Sequence, residues 1–545
     1  MEDEQKEKAE KKTFGEVIKD AIDELRKTFI AFIKAPKALW GINIPYIIEG
    51  LVYFGILTIL GKYSSENVGL TDAQSGIVYS FVTGGITFAM LLFGGWSDKL
   101  GVRASLALSF IAMLVGRILV SLSGSLKLAS GLWSPMFLTM ISGLLIMVLA
   151  YGLFQPAAYA GVKRYTNKQT AAMGYAVIYG FMNLGAFLSG FISSTTRHSF
   201  TKIFPPNGLT AVFWVYVILT AISLIITLVL LTKKTDKSAV DRVAKENAEL
   251  DAKGVKIEDD EEKEETKPDI KANNAKLYIF TTLAVVFFLF SNYGITNNIN
   301  KVYDVSLFNI NINLDIAFIL FLIMSILSVI DYLIERPWHP FRDKRFTFFI
   351  FILVPVQTLF AHNWLTLPYY LDRAFQGTMV SQYFEVFSNL NPVLIFFLTP
   401  IIAGLTAKAD VYKMMIYGTL VMALPTFLLT VGPNLYLFLL YVLMMTIGEA
   451  MWSPRFLQWI AEIAPEGKVG LYMGVGQFPW FLDKVFTGFY SGYFLEKYCP
   501  KDVPVSEMNT GFMWFIYGLI AIITPVALMM AKNWMMKGFK TKHGN

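Results

Sequence analysis

One carboxylate stands alone in a strongly apolar stretch. In Tyr436-Leu-Phe-Leu-Leu-Tyr-Val-Leu-Met-Met-Thr-Ile-Gly-Glu449-Ala-Met-Trp-Ser-Pro454, Glu449 comes near the end of an apolar helix. A charge in hydrocarbon is costly, so it must face a protein interior or a wet cavity, where it can bind a proton or a cation. Other ionisable residues lie in apolar runs: Glu49 in Tyr46-Ile-Ile-Glu49-Gly50-Leu-Val-Tyr53-Phe54-Gly55, then Arg117, and the adjacent Asp483 and Lys484. Adjacent residues point about 100° apart on a helix, so Asp483 and Lys484 cannot both face one spot. Lys484 offers a positive charge to a cavity. The alternative is internal glue, with Asp483 or Lys484 paired to Arg117 or a neighbouring carboxylate. His362 also lies within a span, where it reads as a satisfied interior histidine.

Positioning such residues requires a membrane protein. The 545 residues are 55% hydrophobic and only 16% charged, too apolar for a soluble chain. Aromatic residues make up 15%, which suits interfacial belts. The start, Met1 to Thr13, is charged and lacks a cleavable signal pattern, so the first span is expected to direct insertion. Cys499 is the only cysteine, which excludes an internal disulfide, and with four scattered histidines leaves no plausible zinc site. No GxxxxGK[ST] phosphate loop occurs, so nothing suggests direct use of ATP, and no cofactor, nucleic-acid or enzymatic motif is found.

Phe14, Val17, Ile18, Ala21, Ile22, Leu25, Phe29 and Ile33 form a helical stripe, with Thr13 and Glu16 spaced as a capping box. This predicts an amphipathic helix, on the cytoplasmic surface or packed on the protein. Apolar runs follow at 38–61, 76–97, 104–122, 135–160, 171–194 and 210–232, then at 277–298 and 315–334, then at 346–370, 389–407, 414–432, 436–454, 470–495 and 511–531. Each can cross about 30 Å of hydrocarbon. The expected fold is an all-α membrane protein with 14 spans arranged six, two and six. Its expected parts are an N-terminal cytoplasmic segment (1–36), a six-helix bundle (37–232), a charged cytoplasmic linker (233–275), two additional helices (276–335), a second six-helix bundle (346–532) and a cytoplasmic tail (533–545). The linker carries the acidic run Glu258-Asp-Asp-Glu-Glu-Lys-Glu-Glu265 and reads as partly disordered or a loose helix. With both termini inside, short inner loops hold Lys99 and Arg103, Lys163, Arg164 and Lys168, and Arg336, Arg342, Lys344 and Arg345, while outer loops hold far fewer cations. The positive-inside rule therefore supports this topology.

Four motifs narrow the family. Gly94-Gly-Trp-Ser-Asp98-Lys99-Leu-Gly101-Val-Arg103 places a tight turn and a charge cluster at the inner end of the second span. It resembles the loop signature of the major facilitator superfamily. Gly174-Tyr-Ala-Val-Ile-Tyr179-Gly-Phe-Met-Asn183-Leu-Gly185 resembles the fifth-helix signature of proton-dependent oligopeptide transporters. Asn391-Pro392 with Thr399-Pro400 resembles their eighth-helix segment, and Gly448-Glu449 with Ser453-Pro454 their tenth-helix motif. Bacterial members also insert two helices between the six-helix halves. The resemblance covers most of residues 38–531. It implies the superfamily fold, a bacterial plasma-membrane location, and proton-coupled symport of small peptides or related amine-bearing solutes. Partners would be the solute, protons and the bilayer.

The resemblance also implies site residues. Glu49 and Glu449 would couple protons. Tyr53, Gln155, Tyr179, Asn183, Gln357, Asn391, Glu449 and Trp480 would line the solute site, with Lys484 as a possible cation there. Gly94, Asp98, Lys99, Gly101 and Arg103 would form the conformational loop. Singly, Tyr53, Tyr179 and Trp480 also read as packing aromatics, and Asn183 and Asn391 as helix-contact residues. This chain departs from the pattern. The family's first helix carries Glu-x-x-Glu-Arg-Phe-x-Tyr-Tyr-Gly; here only the second Glu remains, as Glu49, and the Arg is Gly50. A further Arg falls at Leu57, a fourth-helix Lys becomes Gln155, and the seventh-helix Glu-Gln appears as Val356-Gln357. Glu49 should then be easier to protonate, unless Arg117 or Lys484 reaches it. The lost cations keep two alternatives open: a transporter of a non-peptide solute, and a non-transporting sensor or scaffold on the same fold.

Overall fold

The computed structural model describes residues 15, 19, 23, 35–167, 170–252, 273–291, 303–307, 310–337, 339–406, 409–464, 472 and 475–537. The amphipathic helix expected over 13–34, apart from Gly15, Lys19 and Asp23, lies outside them, as do the acidic run at 258–265 and the last residues of the tail.

Six long helices follow in order: α1 (Lys37–Lys62), α2 (Asp72–Leu100), α3 (Val102–Ser125), α4 (Pro135–Tyr165), α5 (Ala171–Phe200) and α6 (Leu209–Leu230). Their ends are set by local chemistry. Ser134 caps α4, its hydroxyl accepting from the Phe137 N–H at 3.2 Å, and Pro135 follows where its missing N–H costs nothing. Gly101, at φ +79°, makes the sharp turn between α2 and α3. The next helix, α7 (Lys233–Ala252), occupies the first half of the charged linker. It docks rather than hanging loose: Asp236 pairs with Arg164 at 2.9 Å and accepts from the Tyr165 hydroxyl at 2.6 Å, while Ala239 is buried.

Between the bundles lie α8 (Ala275–Phe290), strands β1 (Tyr303–Leu307) and β2 (Ile310–Leu314), and α9 (Ile316–Ile334). This short strand pair is the one non-helical pairing in the otherwise all-α fold among the described residues. The strands pair antiparallel with Val305 opposite Ile312, and Ile310-Asn-Ile-Asn-Leu314 alternates with the period of a strand. Of the span expected over 277–298, helix is described to Phe290, and 292–298 lie outside the described residues.

The second bundle comprises α10 (Lys344–Leu365), the short helices α11 (Leu367–Ala374), α12 (Met379–Gln382) and α13 (Phe384–Ser388), then α14 (Leu390–Leu405), α15 (Val411–Ala423), α16 (Leu435–Ile463), α17 (Phe478–Tyr498) and α18 (Thr510–Met536). Among the described residues, 11 helical segments are long and apolar enough to cross a membrane. The helices α2, α8 and α17 occupy the three remaining positions where spans were expected. Prolines interrupt α1, α4, α10, α14, α16 and α18, which membrane helices tolerate because neighbours re-satisfy the freed backbone groups.

The chain divides into two compact units. One contains residues 261–351 and 463–475; within it, Thr281 and Ser328 share a hydrogen bond at 2.7 Å between α8 and α9. The other contains residues 1–260, 352–462 and 476–545, and so holds the body of both six-helix halves.

Candidate functional site

Within the larger unit the halves meet along α2 with α17, and along α5 with α13 and α14. The α2–α17 seam is a close backbone approach. A Cβ on Gly488 would come within 2.7 Å of the Gly76 carbonyl oxygen and overlap the Ser80 hydroxyl. Ser80 instead donates across the seam to the carbonyls of Lys484 at 3.3 Å and Val485 at 3.0 Å.

Three ion pairs join the halves, all at the ends of the helices opposite the Asp98 turn. Arg373 reaches Asp72 at 2.5 and 2.9 Å and also donates to the Cys499 carbonyl at 2.9 Å. Lys62 bridges Asp372 and, within its own half, Glu66 at 2.7 Å. Arg197 grips Glu385 and the Gln382 carbonyl, the latter at 2.8 Å. At the other end, no ion pair joins the halves among the described residues. The contacts therefore hold the halves together at that face.

The expected site residues fall into three groups. The first is central. Tyr179 is 54% exposed within the apolar helix α5, and the Glu449 charge reaches it from the other half, so it forms wall to the space between them. Glu449 is buried on α16 and accepts from Asn391 at 2.8 Å; Asn391 also donates to Thr446 at 3.0 Å. None of the ion pairs found involves Glu449. Opposite, the Gln155 amide donates to Tyr46 at 2.8 Å and Tyr159 at 3.1 Å, and the Tyr159 ring neighbours Tyr175 at 6.0 Å. Asn183 donates to the Tyr179 carbonyl one turn before it at 3.1 Å. A carboxylate without a counter-ion, facing phenol rings, suits an amine or other cation.

The second group is a closed cluster within the first half. Glu49 is 2% exposed and pairs with Arg117, whose other guanidinium nitrogen lies 2.9 Å from it. Arg117 also donates to Tyr151 at 2.9 Å and to Thr220, and Tyr151 donates to Glu49. Tyr53 packs edge-on to Tyr151 at 5.3 Å. Of the alternatives open for Glu49, the one found is that Arg117, from α3, reaches it in place of the charge absent at Gly50. Spacing alone could not reveal this, since Arg117 lies 68 residues away in sequence.

The third group lies behind α16 in the second half. Trp480 stacks on Trp452 at 6.4 Å and lies 5.1 Å from Phe360. Gln357 is fully buried, and neither amide atom has a partner among the described residues. His362 is satisfied, hydrogen-bonded with Thr366 at 2.6 Å and Tyr490 at 3.0 Å. Lys484 is half-buried on α17 and belongs to none of the ion pairs found. Of the turn residues, Lys99 is exposed, Arg103 donates to the Leu231 carbonyl at 2.9 Å, and Gly94 and Asp98 lie in the last turns of α2.

The family model of the Major Facilitator Superfamily matches residues 42–384, well over half of the chain. The chain belongs to the major facilitator superfamily. Several solved structures share this superfamily's fold with it. A peptide transporter, POT, in complex with sulfate is 16% identical, with 92% of this chain and 95% of that chain covered and a TM-score of 0.62. A bacterial homologue of the human drug peptide transporters is 16% identical, with 92% and 99% covered and a TM-score of 0.60. A POT family transporter in complex with 5-aminolevulinic acid is 16% identical, with 92% and 97% covered and a TM-score of 0.57. No curated protein matches. The fold is thus a multi-pass membrane transporter fold, shared with the proton-dependent oligopeptide transporters over nearly the whole chain.

Proposed function

We propose that this chain is a proton-coupled symporter of the oligopeptide-transporter type, carrying small amine-bearing solutes by alternating access. The observation that carries the reading is the set of ion pairs across one end. Cross-half ion pairs at Lys62–Asp372, Asp72–Arg373 and Arg197–Glu385 shut one end of the space that Glu449 and Tyr179 face. With both termini in the cytoplasm of a bacterium, the locked end is outside and the site opens inward, one station of such a cycle. Glu449 receives the solute's amine, with Asn391 fixing the carboxylate and the tyrosines providing aromatic faces. Gln155, Tyr53, Asn183, Gln357 and Trp480 shape the remainder. Glu49 accepts a proton only when Arg117 releases it, because the two compete for the same oxygens. The Asp98 loop, with Lys99 and Arg103, locks the inner face when the outer pairs part.

A non-peptide amine is favoured over an ordinary dipeptide by a specific feature. The positions expected to meet a peptide carboxylate from the first half are neutral Gln155 and Leu57. Purified protein in liposomes with an imposed proton gradient tests the proposal. Uptake of an amine or peptide against its gradient, abolished when the proton gradient is collapsed, is expected. Gradient-independent uptake would refute coupling, and no exchange of any solute would refute transport.

A further inference from the structure

Helix α17 carries Asp483, Thr487 and Ser491 at four-residue steps, so the three lie along one face. All three are fully buried. Among the described residues, none of their side-chain oxygens has a hydrogen-bond partner, and for Asp483 this holds for both carboxylate oxygens. Thr487 approaches Tyr490 without meeting the geometry of a hydrogen bond. Buried polar groups nearly always pair, so three in file without partners call for an explanation.

The file lies beside the α2–α17 seam, one residue round the helix from Lys484, Gly488 and Gly492, which make the α2 contacts, and Asp483 is its member at the seam's edge. Tyr79 on α2 is the phenol that the Asp483 charge reaches, with Tyr53 of α1 beside it. Ser80 bonds the next two carbonyls, and Gly84 lies against Val485 and Phe481. Tyr490 faces Asp483 from its own helix and is held by His362 of α10, on which Tyr517 of α18 stacks at 4.0 Å. Lys484 is the one cation beside Asp483 in this set, and no ion pair joins them. Beyond Ser491, Gly492 meets the Asp72 backbone, so the file ends at the Asp72–Arg373 lock.

An ionised carboxylate here would have no cation in contact and, among the described residues, only the Lys484 backbone N–H near it, outside hydrogen-bond geometry. Burying an unpaired charge costs several kcal/mol even after relaxation. The closed seam therefore accommodates Asp483 as the neutral acid. Parting α2 from α17 would open the Tyr79 side of Asp483 to water and let the acid ionise: its O–H bond breaks and the proton passes to that water, with Thr487 and Ser491 continuing the same face toward the locked end.

We propose that Asp483 is a proton-binding site of the transport cycle, served through the Thr487–Ser491 file from the locked end, and that its proton holds α2 against α17. This rests on the reading of the chain as a proton-coupled transporter and assigns it a coupling group separate from Glu49 and Glu449.

The test needs no solute. Spin labels at Thr71 and Lys497, in a Cys499→Ser background, report the separation of the outer ends of α2 and α17 in lipid nanodiscs as pH is varied. In the otherwise wild-type chain the short-distance population should grow as pH falls. In Asp483→Asn it should dominate at every pH, and Asp483→Glu should restore the titration. Infrared difference spectra should show a protonated-carboxyl carbonyl band that is lost in Asp483→Asn. A pH response in Asp483→Asn matching wild type, or an unchanged carbonyl band, overturns the proposal. If Asp483→Asn does not fold, Thr487→Val serves in the distance titration, with a slowed or lost response expected and a wild-type response refuting the file. Liposomes without proton-driven uptake would remove the transport reading alone, because the distance titration does not depend on it.

Discussion

Removing either partner of the Glu49–Arg117 pair should destabilise the first half more than removing both. Arg117 is 0% exposed and Glu49 2%. With the charge centres about 4 Å apart and an effective dielectric near 20, their attraction is roughly 4 kcal/mol. Mutational experience with broken buried pairs agrees, at about 3–5 kcal/mol, because the survivor is left as an unpaired buried charge. Glu49→Gln keeps the shape but leaves the guanidinium without a counter-charge, and Arg117→Leu strands the carboxylate beside Tyr151. Each single change should therefore cost about 3 kcal/mol or more. The Glu49→Leu/Arg117→Leu double variant should lose only about 1–2 kcal/mol, since replacing both charges with apolar groups is often near neutral. Unfolding by a denaturing detergent titrated into mixed micelles, followed by tryptophan fluorescence, measures all three as a double-mutant cycle. Additive losses, or single losses under about 1 kcal/mol, would refute the closed-cluster argument and restore Glu49 as a loosely held acid.

Asp72→Asn leaves Arg373 buried without its carboxylate, so it should weaken that lock and raise labelling of cysteines at the Asp72 end of α2 and the Tyr498 end of α17; unchanged labelling would dissociate the pair from gating. Glu449→Gln should weaken binding of a monoamine at least tenfold while Lys484→Gln leaves it within about twofold; the reverse order would move the solute charge recognition to α17. The Arg164 guanidinium beside Asp236 holds that carboxyl below its usual value of 3.8, so its docking contribution is present above that value and is lost as pH falls below it. The pair is partly exposed and worth about 1 kcal/mol or less, so proteolysis of α7 should rise only modestly in Asp236→Asn at neutral pH, and a large rise would indicate that α7 docks mainly through this residue.

Length, hydropathy and loop charge made the six-two-six helical plan legible, because a bilayer admits few alternatives. Glu449 and Asn391 were legible for a similar reason: a carboxylate and an amide in apolar helices must find each other or water, and they meet at 2.8 Å. What spacing does not encode is which helices lie side by side. Arg117 could be recognised as a buried cation needing a partner, with Glu49 as one candidate among several. The file Asp483–Thr487–Ser491 was visible only as one acid, since Thr and Ser in a membrane helix usually satisfy themselves on the carbonyl a turn earlier. The strands β1 and β2 were hidden by the length of the apolar runs beside them, although the Ile-Asn alternation marked them.

The change at Gly50 shows why the charge moved. A Cβ there would lie 3.0 Å from both the Cα and the carbonyl oxygen of Met182 on α5, and Gly185 faces back onto the Ile47 carbonyl at 2.6 Å. The two helices thus touch through their backbones, and a side chain as long as arginine has no room at residue 50. Close packing of α1 on α5 and a cation on α1 at this level are mutually exclusive, so the cation has to approach Glu49 from another side. Arg117 does so from α3, where Tyr151 and Thr220 complete its hydrogen bonds. The same exchange turns Glu49 away from the central space and leaves Glu449 as the carboxylate that meets it. A Gly50→Ala variant should therefore disturb α1 against α5 without touching the ion pair directly. Its stability loss should persist in the Glu49→Leu/Arg117→Leu background, and a loss that vanishes there would mean that Gly50 acts through the pair after all.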